Sequence, residues 1–387
     1  MPERPLRILF TVPAYWPAVA YGGPVWITRE LVEELARRGH SVDVVTTSLV
    51  DLDRGLSLRT RTEELGGVRV HYLATPVRYR WMGVPTSLPV VLRRLGRPDI
   101  VHLIGYRDPL GLGVATWCRL KGIPYLLEPM GMYRPRVRKQ RLKRALDPLL
   151  PRRIARAAAL VMTDSELERD DLVEAGLPRD RLAVRPSPFP PLRPGRSGLL
   201  RERLGLTDEP LVLYVGRMAT GKGIELLLEA MRGLGDAHLA LVGPSDHAEV
   251  GAQIARASAD GALAGRVHVV PPWRDERPLA LYGDADVFVL ASTGKNENFG
   301  LVVAEAVSAG TPVVVTDQAG VAELVKDRAG LVVPPTAAAV REAVARILED
   351  GELRARLRSG AAAVAEENSA AAVVERQEAI YRSVLER

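Results

Sequence analysis

Short apolar runs alternate with amphipathic helical stretches along almost the whole chain, and this alternation limits the fold more than any other feature. Residues 6–12 read as a buried strand, and a loop containing Tyr21-Gly22-Gly23-Pro24 follows. Ile27, Leu31, Val32 and Leu35 then share one helical face, with Pro24 suited to the first turn and Gly39 to the stop. The pattern continues through strands at 42–47, 68–73, 100–104, 125–127 and 159–163, with helices near 113–121 and 148–157 between them. Such alternation predicts a parallel sheet covered by helices.

The stretch 185–198, RPSPFPPLRPGRSG, is too rich in proline for a helix or a central strand. A domain boundary is placed there. A second series follows, with strands at 211–215, 237–242, 267–269, 287–290 and 312–316, a helix at 224–231 after the first of them, and helices to the end. With 387 residues and 47% hydrophobic content, the chain can build two cores. The expected fold class is therefore α/β, with two Rossmann-like domains facing across a cleft. Ligands in such sheets sit outside the carboxyl ends of the strands.

Directly after the strand at 211–215 comes Gly216-Arg217-Met218-Ala219-Thr220-Gly221-Lys222-Gly223. This matches the P-loop spacing but has Gly223 where that motif needs a hydroxyl for magnesium. A cation at a helix start is disfavoured unless an anion is present, so Lys222 with Arg217 reads as a two-pronged diphosphate clamp or as two solvated cations. Gly22 and Gly23, before a helix in the first domain, would let backbone amides approach the same phosphates, although such a turn is also ordinary.

Further on, Glu297-Asn298-Phe299-Gly300-Leu301 leads into an alanine- and valine-rich stretch containing Glu305. A helix from near Asn298 to Ala309 would separate the glutamates by roughly 12 Å at 1.5 Å rise per residue, about the span of a sugar diphosphate ending in a ribose. The amides of Phe299, Gly300 and Leu301 would meet a diphosphate between them. Glu297 would hold sugar hydroxyls and Glu305 ribose hydroxyls. The plainer reading is a capped helix with one solvated glutamate, but the valines and alanines around Glu305 predict a buried carboxylate that needs a partner.

The single Cys118 excludes an internal disulfide, and no Cys/His spacing suggests a metal site. The N-terminal apolar run is too short for a signal peptide, and no stretch approaches a membrane span. Net charge is +6, yet residues 134–156 hold ten basic residues against one acid, Asp147. That segment reads either as an interfacial helix drawn to anionic lipid or as a solvated basic helix. Nucleic acid is not expected, because no aromatic stacking platform accompanies the charge.

Taken in order, Gly22-Gly23, Gly216-Arg217, Lys222-Gly223, Glu297-Asn298-Phe299-Gly300 and Glu305 resemble the retaining nucleotide-sugar glycosyltransferases of the GT-B fold, specifically glycosyltransferase family 4. ENFGLVVAEAVSAGTPVV is similar to that family's E-x7-E motif with its following helix and strand. The resemblance implies an acceptor-side domain at 1–188, a donor-binding domain at 189–369 and a C-terminal helix, 370–387, crossing back to the first. It also implies transfer of a sugar from a nucleoside diphosphate to a hydroxyl acceptor, with retention, no cofactor and no obligatory metal. Arg217 and Lys222 would stabilise the departing diphosphate and Glu297 the donor sugar. Asn298 to Leu301 would line the phosphate and sugar site, and Glu305 would hold the ribose.

The first domain departs from the pattern. Where the family carries His-x-His, this chain has His102 followed by Ile104, and Pro129-Met130-Gly131 replaces Pro-His-Gly. His102 either lines the cleft or is a satisfied histidine at a strand end. Two other classes stay open, a GT-B nucleotide-sugar epimerase and a donor-binding membrane protein without turnover. The expected location is cytoplasmic, peripheral at the inner membrane face if 134–156 docks there, which would fit an acceptor carried on a polyprenyl lipid.

Overall fold

The computed structural model describes residues 4–49, 59–79, 82–134, 151–193, 195, 197–245, 248–272, 279–294 and 297–387. The chain divides into two compact units, one formed by residues 1–188 with 370–387 and the other by 189–369.

The first unit is built on an eight-stranded sheet ordered Leu182–Val184, Leu160–Thr163, Tyr125–Glu128, Ile100–Ile104, Arg7–Val12, Ser41–Thr47, Val68–Leu73 and Arg61–Leu65. All neighbours pair in parallel except the last two. Strands Ile100–Ile104, Tyr125–Glu128 and Leu160–Thr163 are buried along their whole length, as continuous apolar runs between two helical layers require. The helix expected near 113–121 runs Pro109–Lys121, because the Asp108 side chain accepts from the Gly111 amide at 2.7 Å and caps it four residues earlier.

His102 sits in the middle of this sheet, fully buried, with its ring stacked on Phe10 at 4.9 Å. Its Nε2 lies 3.0 Å from Glu128 Oε2 and its Nδ1 2.8 Å from the Tyr381 hydroxyl. The Arg185 guanidinium donates to the same glutamate oxygen at 2.5 Å. Burial opposes ionisation of Glu128, but Arg185 and then the His102 hydrogen bond outweigh it and hold the carboxyl at about 2. A carboxylate only accepts, so Nε2 carries the proton and Nδ1 accepts from Tyr381. Burial lowers the His102 pKa and so favours the neutral ring. Burial, with Glu128 and Glu168 adding to it, also raises the nearby Asp164 carboxyl well above its usual range.

Tyr381 belongs to the helix Ala370–Leu385, which buries Val373, Val374, Gln377, Tyr381 and Val384. On the same helix Glu378 accepts from Arg38 at 2.8 Å and from His40 Nε2 at 2.5 Å, while His40 Nδ1 accepts the Leu6 amide. These contacts attach the returning helix to Gly23–Arg37 and the turn after it.

The second unit carries six parallel strands ordered Val267–Val270, His238–Val242, Leu211–Val215, Val287–Leu290, Val313–Thr316 and Gly330–Val333. Chain order reverses between Leu211–Val215 and Val287–Leu290. That switch point is where the ends of neighbouring connections part and leave a crevice for ligands.

The Glu128–Arg185 pair predicts a specific loss. Arg185→Ala leaves a buried carboxylate without its counter-charge, at a cost of about 3–5 kcal/mol, to be read as a lower urea midpoint. Glu128 titrates in the folded protein below its ordinary 4.5, so its contribution is full above that value and fades as pH falls toward about 2. The acid limb of stability should flatten in the variant, and an unchanged midpoint and limb would remove the pair from the stability of this unit.

Candidate functional site

At the switch point of the second unit, the loop 216–223 follows Leu211–Val215 and lies against the segment after Val287–Leu290. The Thr293 amide donates to the Gly221 carbonyl at 3.1 Å. A Cβ on Gly223 would stand 1.6 Å from the Ala291 carbonyl oxygen, so no other residue permits this approach without moving the backbone. On the other side the Gly216 and Met218 amides bond to the Val242 and Pro244 carbonyls, each at 2.9 Å. The loop is thereby fixed to the carboxyl ends of two neighbouring strands.

This placement brings Lys222 to Glu297, with Nζ 2.5 Å from Oε2. The anion that Lys222 needs at its helix start is supplied by the protein's own carboxylate, 75 residues further along the chain. Arg217 is exposed on the same loop. Its carbonyl accepts from the Tyr214 hydroxyl at 2.9 Å. Burial first, then the Glu297 carboxylate, raises the Tyr214 phenol well above its usual pKa.

The helix expected from near Asn298 starts later, at Leu301, and runs Leu301–Ser308. Gly300 adopts a left-handed conformation, φ 98°, and the Phe299 carbonyl accepts the Val321 amide at 2.8 Å instead of serving as the first helical acceptor. Glu297, Asn298, Phe299 and Gly300 therefore precede the helix, and a spacing reckoned at the helical rise does not apply to them. Leu301 opens the first turn. Glu305 is half-buried on that helix, less enclosed than its neighbours suggested. Its Oε2 accepts from the Tyr282 hydroxyl at 2.5 Å, a partner that no sequence signal marks.

The remaining candidates belong to other elements. Gly22 caps and Gly23 begins the helix Gly23–Arg37 in the first unit, after the loop that follows Arg7–Val12. His102 has both ring nitrogens engaged in the core, so of its two readings the satisfied histidine is the one that holds. Asp284-Ala285-Asp286, an Asp-x-Asp by sequence, is not one of these candidates and serves the amino end of Val287–Leu290. Asp284 accepts the Gly198 and Leu200 amides at 2.7 and 2.8 Å, and Asp286 accepts Arg201 and the Leu211 amide at 2.8 and 2.9 Å.

In the basic segment, residues 135–150 lie outside the described residues. Arg134 pairs with Asp171 and Glu174, each at 3.1 Å, while Arg153 and Arg156 are exposed. Among the described residues no helix is long and apolar enough to cross a membrane.

Comparison with known proteins bears on both units. A family model described as "Glycosyl transferase 4-like domain" matches residues 22–188, and one described as "Glycosyl transferases group 1" matches residues 198–364. The chain is 27% identical to an alpha-D-kanosaminyltransferase of Streptomyces kanamyceticus, over 92% of this chain and 99% of that one. It is 28% identical to a GDP-mannose-dependent alpha-mannosyltransferase of Mycobacterium tuberculosis, over 79% of this chain and 78% of the relative. Among solved structures, sucrose-phosphate synthase from Thermosynechococcus elongatus superposes with a TM-score of 0.75 at 26% identity, covering 97% of this chain and 98% of that one.

Proposed function

The chain belongs to the GT-B glycosyltransferases of the family 4 type, enzymes that use nucleotide sugars, and on that premise we propose that it transfers a sugar with retention to a hydroxyl acceptor, without a required metal. The observation that carries the site reading is the Lys222–Glu297 pair at the switch point of the second unit.

In this reading the ammonium of Lys222 and the guanidinium of Arg217 face the diphosphate. Both are positive before the glycosidic bond breaks, so they stabilise the charge that develops on the departing phosphate without reorganising. Glu297 accepts from hydroxyls of the donor sugar while remaining within reach of Lys222. One carboxylate can do both, because it offers about four acceptor positions. Amides at the start of Leu301–Ser308 complete the phosphate site, and Glu305 holds the ribose. The acceptor class we favour is a hydroxyl on a polyprenyl lipid at an anionic membrane face, supported by the ten basic residues of 134–156.

Three measurements test this function. Lys222→Ala and Arg217→Ala each remove charge-assisted hydrogen bonds worth roughly 1.5–3 kcal/mol, so kcat/KM should fall about tenfold to a hundredfold. Normal kinetics in both variants would sink the clamp. Transfer should survive excess EDTA, and complete loss restored by manganese would replace the clamp with a metal-assisted mechanism. Finally, the protein should co-sediment with anionic vesicles at low salt and be released by changing Arg138, Lys139, Arg141 and Lys143 together to Gln; wild-type protein left in the supernatant would remove the lipid acceptor.

A further inference from the structure

Tyr282 lies in the short helix Leu279–Gly283, outside every motif singled out for the donor site, yet its hydroxyl reaches Glu305. The ring is buried, 1% exposed, and packs on Phe288 at 5.5 Å. Its carbonyl accepts the Thr311 hydroxyl at 2.6 Å and the Ala285 amide at 3.1 Å. Side chain and backbone are thus both held, and the hydroxyl is delivered to Glu305 Oε2 at 2.5 Å.

A half-exposed glutamate on a helix surface ordinarily samples several rotamers. Here the phenol donates to one carboxylate oxygen and so restricts the side chain. A fixed carboxylate suits a cis-diol, whose two hydroxyls both donate. We propose that Tyr282 is a positioning residue that orients Glu305 for the ribose of the donor and so makes the site selective for ribonucleotides over their deoxy analogues. This rests on the ribose role given to Glu305 above.

The test uses the full-length protein and equilibrium binding of UDP and GDP, each beside its 2′,3′-dideoxy analogue, to wild type and Tyr282→Phe. The phenylalanine keeps the ring against Phe288 and removes only the hydroxyl. Wild type should prefer the ribonucleotide by about tenfold or more, as expected for hydrogen bonds to a charged group. Tyr282→Phe should lose most of that preference while binding the dideoxy analogue as wild type does. If wild type shows no preference, the ribose role of Glu305 fails. If wild type discriminates and Tyr282→Phe discriminates equally, Tyr282 does not position Glu305. Equal weakening toward both ligands would likewise overturn the proposal, because it marks a general distortion of the pocket.

Discussion

Two backbone segments cannot approach to contact distance if a Cβ stands between them, and the candidate site of the second unit depends on two such approaches. One is Gly223 against the Ala291 carbonyl. The other is Gly243 against the Gly216 carbonyl, where a Cβ would lie at 2.1 Å. Together they hold the loop 216–223 onto the carboxyl ends of adjoining strands, and the position of Lys222 beside Glu297 follows from that. The glycines carry no chemistry themselves. They let the backbone bring a cation and a carboxylate from distant parts of the chain to one place.

What the sequence made legible follows from the range of the forces involved. Val287–Leu290 and Leu211–Val215 were readable because a strand buried on both faces must be apolar throughout. Arg61–Leu65 was not, since an exposed antiparallel edge strand of sequence RTEEL carries no apolar signal and owes its existence to pairing with Val68–Leu73. The start of the Glu305 helix was misplaced because it is set by the left-handed turn at Gly300 together with the Val321 amide, and the second of these is a tertiary contact. The candidate residues Arg217, Lys222, Glu297 and Glu305 could be picked out by charge and spacing near strand ends. Their partners could not, because Lys222 to Glu297 and Glu305 to Tyr282 are tertiary contacts.

The same limit applies to His102. Its type and position at a strand pointed toward a cleft residue as readily as toward a structural one, and the decision lies with Tyr381, 279 residues away. Once both ring nitrogens are occupied and Glu128 is paired with Arg185, the buried carboxylate has a counter-charge and a hydrogen-bond donor in His102. That arrangement suits a buried site, where an uncompensated charge is costly.

The return of Ala370–Leu385 to the first unit has a consequence for synthesis. Ribosomes deliver the chain from its N-terminus, and domains generally fold as they emerge. The first unit, however, must wait through residues 189–369 before Tyr381 and Glu378 exist to meet His102, Arg38 and His40. Throughout that interval the helix Gly23–Arg37 lacks its cover and two histidines lack a partner. The first half of the protein to be made is therefore the last to be finished, and its vulnerability to aggregation or proteolysis during translation is set by how quickly the second half is read.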